Sequence, residues 1–113
     1  MATITPTYPD TGGQPGLKRV QWVFSGADTG VAVQADEWPD KTVSVVGTWN
    51  GATVVIEQSE DNVTFLTSVD PQGNNISKTA DAMETILDNT KYIRPRVSAG
   101  TPTSLTITIT AMQ

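Results

Sequence analysis

The stretch Ser104–Met112 constrains the fold more than any other. In it Leu105, Ile107, Ile109 and Ala111 alternate strictly with Thr106, Thr108 and Thr110. A two-residue period places one set on a buried face and the other on a wetter one, which is the geometry of a half-buried strand and not of a helix. The same period runs through Lys18-Arg19-Val20-Gln21-Trp22-Val23-Phe24, where Val20, Trp22 and Phe24 share a face and Arg19 and Gln21 take the other. Eighteen threonines, twelve valines and seven isoleucines against four leucines extend this preference for strands to the whole chain.

Turn signals divide the rest into short strands. Residues 42–48 alternate and are followed, after Trp49, by Asn50-Gly51, whose tolerance of positive φ predicts a type I′ hairpin back into residues 53–58. Ser59-Glu60-Asp61-Asn62 is a turn, residues 63–69 a returning strand, and Asp70-Pro71-Gln72-Gly73-Asn74-Asn75 a loop. Residues 76–87 have approximate helical spacing at Ala80, Met83, Ile86 and Leu87, but a helix of that length is marginal alone, and strands at 76–79 and 83–87 are the preferred reading. Residues 91–98 form a further strand. Residues 26–41, broken by Gly26, Gly30 and Pro39, form a loop with at most a short strand at 31–33.

Seven or eight short strands at about ten-residue spacing predict an all-β chain, a single antiparallel β-sandwich of immunoglobulin-like or jelly-roll-like type over residues 17–113. The 113 residues hold one core. Residues 1–16 carry Pro6, Pro9, Pro15, Gly12, Gly13 and Gly16, which oppose both helix and ladder pairing and predict an extended N-terminal arm. Such an arm is either a frayed terminus or a segment that orders on a neighbouring subunit, with Ile4, Tyr8 and Pro9 as anchors.

The chain lacks both His and Cys, which removes the commonest general base, the commonest metal ligand, the thiolate nucleophile and any disulfide. Carboxylates remain as the acids and bases, and pairs such as Asp36 with Asp40 or Glu60 with Asp61 lie in surface turns where solvated charge is the ordinary condition. Asp36, Glu37 and Asp40, or Asp61 with Asn62, offer oxygens to calcium without the regular spacing of a known loop. The expectation is therefore no enzyme, no cofactor and no metal. A formal net charge of −5 repels a phosphate backbone, so no nucleic-acid partner is expected. The N-terminus lacks the basic and apolar regions of a secretory signal, and the longest aliphatic run, Val54-Val55-Ile56, is far short of the roughly 18 residues of a span, so no membrane partner is expected either.

Three features stand out as partner-binding candidates. Period two puts Tyr92, Arg94 and Arg96 on one face of their strand, concentrating two of three arginines in an acidic protein. That face either docks on acidic side chains of a partner or is paired locally, to Glu57 or another carboxylate. Pro95, lacking a ladder donor, predicts an edge strand or a bulge. The spacing Ile86-x-Asp88-x-Thr90-x-Tyr92 also suggests a tyrosine corner, which would turn Tyr92 inward. Trp22 and Trp49 fit packing roles, whereas Trp38, before Pro39 in a loop, is left to meet a ligand or a neighbour.

Two resemblances follow from these residues. Ser59-Glu60-Asp61-Asn62-Val63-Thr64-Phe65 resembles the Asp-box, a motif that holds a hairpin together, with Val63 where Gly is usual. More broadly, GTWNGATVVIEQSEDNVTF, then DPQGN, then ILDNTKYIRPRVSAGTPTSLTITI resembles the small head decoration, or capsid cement, proteins of tailed bacteriophages, over about residues 42–110. The resemblance implies a virion protein on the capsid surface, present in the host cytoplasm during assembly. It would bind the outside of the major capsid protein shell as a homo-oligomer, a trimer by first expectation. A phage tail or fibre component, or a carbohydrate-binding or adhesin module resting on Trp38 and Tyr8, are the alternatives.

Overall fold

The computed structural model describes residues 2–9, 16–35 and 38–112. Among them there is no helix, and eleven strands form two facing sheets. In chain order these are β1 (Thr3–Ile4), β2 (Leu17–Phe24), β3 (Thr29–Gly30), β4 (Val33–Gln34), β5 (Asp40–Thr48), β6 (Thr53–Ser59), β7 (Leu66–Thr67), β8 (Ser77–Lys78), β9 (Ala82–Ile86), β10 (Tyr92–Ala99) and β11 (Ser104–Met112). One sheet is built on the long antiparallel pair β10–β6, with β3 and β4 beside β10, β7 and β8 beside β6, and β1 parallel to β3. The other runs β2-β11-β5-β9, antiparallel throughout.

The expected all-β sandwich is thus the observed fold. Its core is the alternation read from the sequence: Val20, Trp22 and Phe24 of β2, Val43 and Val45 of β5, and Leu105, Ile107, Ile109 and Ala111 of β11 face Val54 and Ile56 of β6 and Ile93 and Val97 of β10. The strand count rises to eleven because five strands are only two residues long. Residues 76–87 resolve into β8 and β9, the strand reading, whereas the strand expected over 63–69 shrinks to Leu66–Thr67.

The Asn50-Gly51 hairpin is a correction. The turn itself has the expected geometry, with φ of 47° and 76° and Ala52 N–H donating to the Trp49 carbonyl at 2.9 Å. The strands it joins, however, enter different sheets. β5 is already paired on both sides by β11 and β9, and β6 by β10 and by β7 and β8, so neither has a free edge for the other. Thr48 continues in register with Ser104 of β11, while Thr53 pairs with Ala99 of β10. The turn therefore carries the chain from one sheet to the other.

Pro95 is a second correction, because β10 is an interior strand. Its inner-face neighbour Val97 donates its N–H to the Asp28 carbonyl on the β3 side, so the missing donor of Pro95, two residues earlier, falls on that same side. There the partner strand is interrupted: β3 ends at Gly30 and β4 begins at Val33. The gap between two short strands does what an edge would have done. Tyr92 stays on the outer face with the arginines and makes no tyrosine corner.

Residues 2–9 are extended as expected, but the strands they pair with are the chain's own. β1 pairs with β3 of one sheet, and Thr7 exchanges two backbone hydrogen bonds of 2.8 and 2.9 Å with Gln21 of the other. Bridging both sheets on one side covers edges that would otherwise be open to another chain. Residues 10–15 of the expected arm, including Gly12, Gly13 and Pro15, lie outside the described residues.

Backbone geometry is most demanding at Gly47, whose φ is 145° and where a Cβ would lie 2.1 Å from the Ser104 carbonyl oxygen. At Gly51, also at positive φ, a Cβ meets nothing within 4 Å. In chemical denaturation, Gly47→Ala is expected to lose about 2–3 kcal/mol or more through clash and strain. Gly51→Ala should lose only about 1 kcal/mol, the cost of the backbone conformation alone.

Candidate functional site

Strand β10 sets Tyr92, Arg94 and Arg96 outward in a row, because Ile93, Pro95 and Val97 are held in the core. Register puts Glu57 of β6 directly opposite Arg94. Arg94 Nε donates to Glu57 Oε1 and Arg96 Nη2 donates to Glu57 Oε2, each at 3.1 Å. The carboxylate is nearly covered, while the Arg94 and Arg96 side chains keep 25% and 34% exposure. Two cations thus share one buried anion, so this patch stays net positive on an acidic chain. The Arg94 guanidinium also lies 3.7 Å from the centre of the Phe65 ring, and Lys91 Nζ sits 5.7 Å from that of Tyr92. The arginines are therefore paired locally to Glu57, one of the two expected arrangements, and the pairing presents their outer edges in a fixed geometry.

The remaining candidates gather elsewhere. Tyr8 and Trp38 line a common cleft of about 460 Å³ with Pro6, Lys18, Val33 and Gln34. Tyr8 is 65% exposed, but Trp38, expected to be free, is only 8% exposed and belongs to the core. Its carbonyl accepts a 2.9 Å hydrogen bond from the ammonium of Lys41, which is what holds this loop inward. Ile4 is half-buried against the core and Pro9 is half-buried. Trp22 donates Nε1–H to the Val31 carbonyl at 3.1 Å, and Trp49 donates to Asp81 Oδ1 at 2.8 Å, the packing roles expected of both. Asp36 and Glu37 lie outside the described residues. Among the described residues no cluster of three acidic side chains could hold a metal.

Lys41 was missed by the sequence reading. It occupies an inward position of β5, in register with Ile86, and is almost fully buried. Besides the Trp38 carbonyl it reaches Asn89 Oδ1 at 2.5 Å. Burial pushes its ammonium below the ordinary lysine value, opposed by the charges of Asp88 and Asp40. The signal was present in the alternation, since Lys41 has the same parity as Val43 and Val45.

The polar loops that carry the sequence resemblances are self-contained braces. Ser59 Oγ accepts from the N–H groups of Asp61 and Asn62 and donates to Asp61 Oδ1, which also accepts from Val63 and Thr64 at 2.9 Å. Asn62 adopts φ of 61° to close the turn, a conformation that Asn tolerates better than most residues. Asp70 Oδ1 likewise accepts from Gln72 and Asn74, each at 3.0 Å, across the DPQGN loop. Buried Gln58 donates to Ser68 Oγ at 2.7 Å and accepts from Thr90 Oγ1 at 2.9 Å.

Hydrogen bonds from Thr64, Val63 and Ser59 hold the Asp61 carboxyl below the usual carboxylate range. A depressed native value means that its contribution is present above the unfolded value near 3.8 and is lost as pH falls through the native one. Amide exchange at Val63 and Thr64 should therefore accelerate, relative to the core strands, as acid is added below about pH 4. Asp61→Asn should remove that pH dependence.

Solved structures share the fold. The SPBc2 prophage-derived protein YomS superposes with a TM-score of 0.67 at 10% identity, over 86% of this chain and 95% of that one. The PBSX exported protein XepA gives 0.67 at 19% identity, over 88% of this chain and 39% of that one. A cupin domain from Bordetella pertussis Tohama I gives 0.56 at 13% identity, over 99% and 95%. No protein-family model matches the sequence, and no curated protein matches it. At these identities the likeness carries the two-sheet fold and leaves binding and activity to other arguments.

Proposed function

We propose that this chain is a non-enzymatic virion protein of a tailed bacteriophage. On this reading it decorates and stabilises the capsid by binding the outside of the major capsid protein shell, as a homotrimer, through the Tyr92, Arg94 and Arg96 face. The observation that carries this reading is the buried Glu57 shared by two arginines, because it fixes cationic donors outward on a rigid sheet. A preorganised fork loses little side-chain freedom on docking and suits carboxylates of a partner surface. Several copies around a symmetry axis multiply a modest contact into stable attachment.

Two further findings support it. The residues that carry the resemblance to decoration proteins are, in this fold, the sheet-crossing turn, the 59–64 brace, the DPQGN loop and the arginine strand. They are builders of shape, as a protein working by adhesion requires. One of the fold neighbours is a prophage-derived protein. The glycan-binding alternative keeps only Tyr8 as an exposed aromatic, because Trp38 is buried.

The test is occupancy on purified shells lacking this chain. Arg94→Ala and Arg96→Ala are combined with Glu57→Gln, so that no buried carboxylate is left unpaired. The triple variant is expected to keep its fold and to bind at least about tenfold more weakly, the scale of losing a desolvated charge pair. Binding unchanged in a folded triple variant removes this face from the account.

A further inference from the structure

A second concave surface adjoins the arginine row, between the 59–64 brace and the loop that follows β9, and Ser59 of its lining pairs with Tyr92 across β6 and β10. It encloses about 360 Å³, with Leu66 in its lining and Glu60, Asp61 and Asp88 around it. Leu66 is 72% exposed although it sits in a strand paired to Gln58. Val63 and Leu87, the sequence neighbours of lining residues Thr64 and Asp88, are 80% and 52% exposed. Leu66 is thus exposed where the chain also places three carboxylates, none of which forms a salt bridge with a Lys or Arg among the described residues, while the charge of Asp88 also acts on buried Lys41.

We propose that this cleft is a docking site for an extended segment of a protein partner that presents a Lys or Arg side chain beside an apolar residue. A hydrocarbon lining ringed by carboxylates is complementary to a long cationic side chain, whose stem covers apolar surface while its head meets the acids. The lining leucine argues against a bare cation, which would need convergent oxygens instead. Two of the three carboxylates are held in place before the partner arrives. The turn hydrogen bonds to Asp61 reach Oδ1 and keep this carboxyl ionised, and Asp88 Oδ2 is fixed by the Val69 N–H at 3.3 Å. The site does not depend on the shell being the partner, since its charge is opposite to that of the arginine face.

Isotope-labelled full-length protein titrated with a synthetic Leu-Lys-Leu-Lys peptide tests this. The expected result is shifts of the Leu66, Asp88 and Thr90 amides that a Leu-Glu-Leu-Glu peptide does not produce. Leu66→Ser should weaken binding roughly tenfold, the loss of one leucine contact. Glu60→Gln should weaken it about threefold, as for an exposed ion pair. Both positions are exposed, so both variants should unfold at the wild-type denaturant midpoint. Equal shifts with the acidic peptide, shifts confined to other residues, or no effect of Leu66→Ser would overturn the proposal. So would shifts of the same amides on raising the protein concentration alone, which would make a second copy the occupant.

Discussion

Burial between two sheets is what holds this chain together, because it has no cysteine with which to cross-link them. Inward rows from β2, β5 and β11 supply one side of that layer, and β6 and β10 the other. Every polar group drawn into covered positions must then be satisfied, since an unpaired buried charge costs several kcal/mol. Glu57 meets this demand with two arginines, Lys41 with a carbonyl and an amide oxygen, and Gln58 with Ser68 and Thr90. Among the described residues no buried side-chain polar atom lacks a partner.

The same demand shapes the surface. Pairing Glu57 from the outer side of β6 fixes two guanidinium groups at the surface of one sheet, and the Ser59–Asp61 brace fixes the Asp61 carboxylate beside the cleft that Leu66 lines. Charge of both signs is therefore presented in preset positions on a chain of net charge −5. Complementary potentials of this kind set orientation and partner choice more than raw affinity. Such an arrangement suits the proposed attachment role, which calls on neither an imidazole nor a thiol.

Much of the fold was legible because period two is a local signal. The faces of β2, β10 and β11, the strand nature of residues 76–87 and the turn geometry at Asn50-Gly51 all follow from neighbours in sequence. Sheet membership does not, and this is why the hairpin became a crossing: whether β5 and β6 pair depends on whether β11, β9, β10 and β7 have already taken their edges. Pro95 failed as an edge marker for a related reason, since the gap between β3 and β4 is a tertiary feature. On the candidate site, alternation correctly grouped Tyr92, Arg94 and Arg96, and Glu57 was nameable as their partner. Trp38 was misjudged because the lysine that holds its loop inward sits three residues on, at a position whose parity was legible but whose charge argued for solvent.

On the proposed reading, this chain attaches to the outside of a phage shell by its arginine face. Electron cryomicroscopy of particles assembled with and without the chain tests it most directly. The expected difference density lies on the outer surface, in symmetric groups of copies, with β10 turned toward the shell. Density that places β10 toward solvent, or particles identical in both preparations, would contradict it.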